Sequence, residues 1–289
     1  MVKKIAFVIN PNAGVKKKLD IAEFVKKNLS QSHFPEFIIW ENKDDFDTVR
    51  QKIKSGNYDT VVACGGDGTV NQVAAVLAHT KMALGILPLG SGNGLARSNG
   101  IPMNLIKALQ VIERRGIRQI DGGRINEFPF FCTAGIGFDA HIANEFATST
   151  KRGFITYFNK TIKAFFGYKP FHYNILVDGK RIETKAFLIT VANSGQWGND
   201  VYIAPKAELN DGWLDVSVLK PFSIISLPII GLKLFSKKIH TSVKLISDKG
   251  KQIEIEFDGE LPVHYDGEPI FVKNKLIIRI MPLALNVVC

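Results

Sequence analysis

Cysteine is scarce in this chain. The 289 residues hold three, Cys64, Cys132 and Cys289. They lie far apart with no C-x-x-C pair, which argues against a disulfide frame or a zinc site and for a reducing compartment. Long apolar runs are missing too. No segment offers the ~20 apolar residues that a bilayer crossing needs. The apolar run 5–9, behind Lys3 and Lys4, is too short for a signal peptide and ends in Asn10-Pro11. No G-x-x-x-x-G-K-[ST] occurs: Lys180 follows Gly179 but precedes Arg181, and Lys251 follows Gly250 but precedes Gln252. That argues against a P-loop NTPase. Acidic residues are absent from 146–177, where Lys151, Arg152, Lys160, Lys163 and Lys169 alternate with aromatic side chains. The default reading of such a stretch is a solvated basic face. The interleaved aromatics add the hypothesis of contact with an anionic membrane surface, as expected of a cytoplasmic protein peripherally associated with membrane.

What is present is globular in composition, with 46 % hydrophobic and 22 % charged residues and a formal net charge of +10. The chain is organised around residues 59–97. The run 59–64 is apolar and rich in β-branched residues, as a buried parallel strand should be. It breaks at Gly65-Gly66-Asp67-Gly68, after which Thr69 is placed to cap a helix with Val70, Val73, Ala74 and Leu77 on one face. The pattern then repeats: 83–87 is apolar, and 88–94 is a second loop with three glycines. Parallel strands put both loops at one carboxyl edge, where ligands of open α/β sheets bind. Glycine lets backbone N–H groups approach a ligand, and a helix start adds orphan donors, so both features favour phosphate. Asp67 is unsuited to attract phosphate by charge; it suits a magnesium ion, a water or a hydroxyl proton.

Strand 2–9 ends at Asn10 in a turn sequence, which places Asn10 at the same edge as the two loops. Helices around 22–29, 45–55 and 105–115 alternate with strands at 37–40, 59–64 and 83–87. The expected fold is therefore α/β plus β: an N-terminal doubly wound, Rossmann-like parallel-sheet domain and a C-terminal antiparallel β-rich domain. The division expected is 1–122, completed by about 275–289, and 123–274. In the second half, strands are expected at 118–124, 130–134, 171–177, 181–192, 214–219 and 241–246, with Asp178-Gly179 as a hairpin turn. Helices are expected at 140–147, 154–166 and 224–235. The apolar stretch 222–235 reads by preference as a core helix, with an interfacial segment carrying Lys237 and Lys238 as the alternative.

Two loops, Gly65-Gly66-Asp67-Gly68-Thr69-Val70-Asn71 and Pro88-Leu89-Gly90-Ser91-Gly92-Asn93-Gly94-Leu95-Ala96-Arg97, resemble those of the diacylglycerol kinase catalytic-domain family, which includes bacterial lipid kinases and sphingosine kinases. The resemblance covers nearly the whole chain. It implies a lipid kinase of phospholipid metabolism that moves the γ-phosphoryl of ATP, with Mg2+, to a lipid hydroxyl in a cleft between the domains. Gly65, Gly66, Gly68, Gly90 and Gly92 would cradle phosphates, with side-chain hydrogen bonds from Asn10, Thr69, Asn71, Ser91 and Asn93. Asp67 ranks first and Glu268 second as the base, with Asp121 in support. Val15 stands where the family commonly has a lysine.

Several matches stay open at this point. Gly135-Ile136-Gly137-Phe138-Asp139-Ala140 fits G-x-G-x-x-A but lacks the acid ~20 residues on that a dinucleotide site needs. Asp139 would face the lipid headgroup by resemblance, or cap a helix. Asp258-Gly259-Glu260 and Asp266-Gly267-Glu268 both read as hairpin turns by composition. The second sits where the family has its Asp-Gly-Glu, so Glu268 goes to the site and Glu260 to a turn. Asp211, in Asn210-Asp211-Gly212, resembles the family's structural magnesium ligand. A NAD kinase also uses Gly-Gly-Asp-Gly-Thr, and the second loop tells against it. Nucleic acid is not expected, because glycine loops at strand ends supply no groove-reading element. Self-association stays open.

Overall fold

The computed structural model describes residues 4–11, 19–30, 34–41, 45–114, 116–147, 161 and 164–289. The chain forms two compact units, Met1–Ile120 with Leu283–Cys289, and Asp121–Pro282. Most of the basic aromatic stretch and Val15 fall outside the described residues, as does the expected helix at 154–166 except for residues 161 and 164–166, which are helical.

In the first unit β1 (Ile5–Ile9), β2 (Pro35–Ile39), β3 (Thr60–Gly65) and β4 (Ala83–Pro88) are joined by helices α1 (Ile21–Asn28), α2 (Phe46–Ser55) and α3 (Asp67–Leu77). The short α4 (Gly94–Ser98) and then α5 (Leu105–Arg114) follow. All strand pairs are parallel, in the order β4-β3-β1-β2. Every residue of β1, β3 and β4 is buried, as in strands covered on both faces. Helix α1 packs beside α5, and α2 beside α3. The Asp20 carboxylate caps α1 through the N–H of Glu23 at 3.0 Å. Thr69 is not the cap of α3. That helix begins two residues earlier, behind Gly66 in extended conformation, whose carbonyl accepts the Val70 N–H at 3.0 Å.

The second unit is antiparallel. Its strands are β5 (Ile117–Ile125), β6 (Phe128–Phe130), β7 (Thr133–Gly137), β8 (Phe171–Val177), β9 (Lys180–Ala186), β10 (Leu188–Ala192), β11 (Gln196–Gly198), β12 (Val201–Tyr202), β13 (Leu214–Leu219), β14 (Leu245–Gly250), β15 (Gln252–Tyr265) and β16 (Glu268–Val288). The run 181–192 is thus two strands rather than one, and the last strand expected, at 241–246, begins only at Leu245. Helix α6 (Phe138–Ala147) follows β7, and α7 (Leu227–Phe235) follows a 3-10 turn. Asp178 and Gly179 have φ of 46° and 86°, the left-handed pair of a tight hairpin.

β15 is the strand that composition hides. Its first half pairs with β8 and its second half with β7. Between them the register with β16 slips at Glu256/Glu260. Asp258-Gly259 is therefore a bulge inside a strand and not a hairpin turn, with Gly259 at φ 83° donating to Asn274 Oδ1 at 3.1 Å. Glu260 lies on the strand opposite Lys273. The bend lets one strand serve two partners, and Ile253, Ile255, Phe257 and Val263 fill the core from it. β16 leaves the second unit at Pro282 and ends in the first, where Asn286 and Val287 pair in parallel with Ala83 and Leu84 of β4.

Candidate functional site

In the first unit, three strand ends carry the turns of interest. Ile9 is level with Cys64, and Gly65 with Pro88, so the turns open on one edge. Asn10 donates from Nδ2 to Thr69 Oγ1 at 3.2 Å. The N–H of Leu89 reaches the carbonyl of Gly65 at 2.9 Å. Asp67 joins the two glycine loops: Oδ2 accepts from the N–H of Asn93 at 2.9 Å, and Oδ1 from that of Gly94 at 2.7 Å. Burial raises the Asp67 pKa above the ordinary 3.8, against the opposing pull of the Gly94, Asn93 and Asp67 N–H groups and of Arg97.

Asn93 completes the second loop. It sits in the left-handed region at φ 52°, accepts the Gly90 N–H at 3.0 Å and donates back to the Gly90 carbonyl at 2.8 Å. The glycines have a packing reason beside any ligand. A Cβ on Gly90 would lie 2.6 Å from the Gly66 Cα, and one on Gly92 would lie 2.7 Å from Asp67 Oδ2. Thr69, Asn71 and Asn93 are buried, whereas Ser91 is exposed and Asn10, Gly66, Asp67, Gly68, Gly90 and Gly92 are partly so. Arg97, whose Nε donates to the Gly92 carbonyl at 3.0 Å, belongs to this cluster. Its signal was its place at the end of the second loop.

The other candidates lie in the second unit, where hydrogen bonds link Asp121 and Asp139 by way of the Asp266-Gly267 turn. Asp121 is not in a turn: it is buried within β5, and its Oδ2 accepts the Gly212 N–H at 2.7 Å. Its backbone carbonyl accepts from Asn193 Nδ2 at 2.8 Å, and the same group donates to the Phe131 carbonyl at 3.0 Å. The N–H groups of Phe131, Cys132 and Thr133 all point to the Asp266 carboxylate, at 2.8, 2.8 and 2.9 Å. Asp266 and Gly267 form a left-handed pair, φ 47° and 88°, that turns β15 into β16. Among the described residues, the carboxylate of Glu268, just past this turn, has no hydrogen-bond or ion-pair partner and stays partly exposed.

Asp139 is held from three sides. Its Oδ1 accepts the Ala140 N–H at 2.8 Å, while Oδ2 accepts Thr190 Oγ1 at 2.9 Å and lies 3.3 Å from His264 Nε2. The N–H of Gly267 lies 3.4 Å from His264 Nδ1, so Asp139, His264 and the Asp266-Gly267 turn form one brace. Asp266 was visible only as the first residue of a turn triplet, and His264 carries no local sequence signal. The partners, Asp139 of His264 and Phe131 of Asp266, are more than a hundred residues away in the chain.

Asp211 does not fit a metal as arranged. Its Oδ1 accepts the Trp213 N–H at 3.1 Å, and its Oδ2 holds Lys249 Nζ at 2.8 Å, with Asp215 3.3 Å from the same ammonium. Burial works to lower the Lys249 pKa, but the bonds to Asp211 and Asp215 outweigh it and the net shift is upward. A lysine thus fills the cation position. Among the described residues, no group of three or more His, Cys, Asp or Glu is placed to hold a metal ion. EDTA is therefore expected to leave the melting midpoint unchanged, while Lys249→Met lowers stability by roughly 1 kcal/mol. A midpoint that falls on chelation would overturn this reading.

Residues 4–125 match the diacylglycerol kinase catalytic domain, and residues 132–289 match the YegS C-terminal NAD kinase beta sandwich-like domain. A crystal structure of a candidate diacylglycerol kinase from Bacillus anthracis superposes with a TM-score of 0.81 at 26 % identity, covering 99 % of this chain and 96 % of that one. An Archaeoglobus fulgidus NAD kinase in complex with ATP shares the fold alone, with a TM-score of 0.55 at 14 % identity and coverage of 99 % and 93 %. The fold is thus of the diacylglycerol kinase type. A Chromohalobacter salexigens protein named "Probable lipid kinase YegS-like" is 31 % identical over 268 residues, 88 % of this chain and 83 % of the relative. The chain belongs to this YegS-like lipid kinase family.

Proposed function

We propose that this chain is an ATP-dependent lipid kinase whose acceptor is a primary hydroxyl of a diacylglycerol- or sphingoid-type lipid. The observation that carries the reading is the knitting of the Asn10, Gly65–Gly68 and Gly90–Gly94 turns at one sheet edge around Asp67. In this reading the edge grips the phosphates of Mg-ATP, the magnesium ion arriving with the nucleotide as part of the substrate. The start of α3 adds N–H donors and the positive end of its dipole.

Asp67 ranks first as the base on sequence, but its two engaged oxygens favour a different role. It holds the two loops at the spacing the phosphates need. Glu268 is the better proton acceptor, because its carboxylate is unengaged among the described residues and its hairpin is braced by Asp266 and His264. The lipid oxygen forms a bond to the γ-phosphorus as the bond to the β,γ-bridging oxygen breaks, ADP leaves, and the hydroxyl proton passes to Glu268. Such transfer rests on positioning and charge neutralisation. Asp121 and Asp139 act through the network that holds this hairpin, with Asp139 also a candidate for the lipid headgroup.

Incubation with labelled ATP and diacylglycerol, sphingoid bases, ceramide, phosphatidylglycerol, undecaprenol or NAD tests the proposal. Label in a lipid is the expected result. Label in NAD alone would establish the NAD kinase reading that the fold also permits, and no transfer to any acceptor would end the kinase assignment.

A further inference from the structure

Helix α7 reverses the expectation of a core helix. Of its residues only Ile230 is buried. Ile230 and its partly buried neighbour Leu234 rest on an aromatic-rich cluster with Phe138, Phe187 and Phe222. The exposed side of α7 carries Ile229 and Leu232, 60 % and 70 % exposed, with Phe235 beside them at 52 %, and Ile225 in the 3-10 turn just before the helix is 83 % exposed. Val243, past the next 3-10 turn, is 92 % exposed. A run of large aliphatic side chains left in water on this scale marks an interaction surface.

Charge says what it meets. From 216 to 247 the sequence has no Asp or Glu, yet it has Lys220, Lys233, Lys237, Lys238 and Lys244. Two of these are anchored locally: Lys233 Nζ donates to the Thr241 carbonyl at 3.1 Å, and Lys237 Nζ stands 4.3 Å above the Tyr202 ring. Lys238 and Lys244 are exposed. A second copy of the chain is a poor partner, since a two-fold interface would set this lysine-bearing, acid-free segment against its own copy. An anionic bilayer offers apolar depth and negative headgroups together. No helix among the described residues is long and apolar enough to cross a membrane, so α7 would lie along the surface.

We propose that α7 and the turn before it form the membrane-docking face, with Ile225, Ile229 and Leu232 seated among acyl chains and Lys238 and Lys244 at headgroup level. This deepens the lipid kinase reading and relies on it only for the reason such docking is useful. The test is co-sedimentation with sucrose-loaded vesicles of phosphatidylglycerol and phosphatidylcholine, against phosphatidylcholine alone. The unaltered chain is expected to bind the anionic vesicles at least tenfold more tightly. Ile225→Ser/Ile229→Asn/Leu232→Gln and Lys238→Glu/Lys244→Glu should each weaken binding by about tenfold or more, with turnover on a detergent-dispersed acceptor unchanged. Fluorescence of Leu232→Trp should be quenched by brominated acyl chains.

Equal binding of both vesicle types, or of the triple variant and the parent, would overturn the proposal. So would sedimentation equilibrium showing a dimer that the triple variant dissolves. Vesicle binding without any kinase activity would sink the kinase reading and leave the docking face standing; activity in detergent without vesicle binding would do the reverse.

Discussion

Asp67→Asn is expected to abolish measurable turnover while the chain stays folded, and to weaken ATP binding in parallel. The carboxylate accepts one N–H on each oxygen, from Asn93 and Gly94. An amide can accept only one of them and turns its own NH2 toward the other. Losing a charge-assisted bond and stranding a donor costs roughly 1.5–3 kcal/mol, drawn mostly from the second loop. A further tie between the loops is the bond from the Leu89 N–H to the Gly65 carbonyl at 2.9 Å, while Gly90 and Gly66 pack backbone to backbone. Calorimetry with Mg-ATP should show a large fall in affinity beside the loss of activity; normal affinity would mean that Asp67 serves chemistry alone. Stability against pH provides a second check. Burial holds the Asp67 pKa above its unfolded value near 3.8. The linked contribution to stability is therefore full below that value and is lost as pH rises through the folded pKa. The asparagine variant should lack this component of the curve.

Glu268→Gln should act differently. On the role proposed for Glu268, removing a positioned base costs about 10²–10⁴-fold in kcat, and the KM for ATP should hardly move, because the glutamine keeps the hairpin shape. Asp266→Asn is the contrasting control. Asp266 collects three backbone N–H groups from residues 131–133, so its loss should lower the urea midpoint as well as activity. If Glu268→Gln retains full kcat, the proton goes elsewhere and Asp67 returns as the base.

The alternating half of the fold was readable because its signals are local. Val61, Val62 and Ala63 form an unbroken buried run, and glycine clusters end it. The second half was readable only in part. Gln252–Phe257 alternates as a strand should, but Asp258-Gly259 has the composition of a turn, and only the pairing with both β7 and β8 shows it to be a bulge. Residues 222–235 are apolar on nearly every side, a pattern that fits a core helix as well as an exposed one. The candidate site divides in the same way. The glycine loops announce themselves, whereas the bond from Asp67 to Asn93 and the brace of Asp139 with His264 depend on strands that meet only in the folded chain.

The crossing of β16 into the first unit has a consequence for folding. β4 gains its outer neighbour only when Asn286 and Val287 arrive, with the N–H of His79 donating to the Ala284 carbonyl at 2.7 Å and that of Cys289 to the Gly116 carbonyl at 2.9 Å. Until residues 283–289 are in place β4 keeps a bare sheet edge, so the first unit is not closed by residues before 121 alone. Deleting residues 283–289 would therefore be felt first in the first unit, far from the cut along the chain.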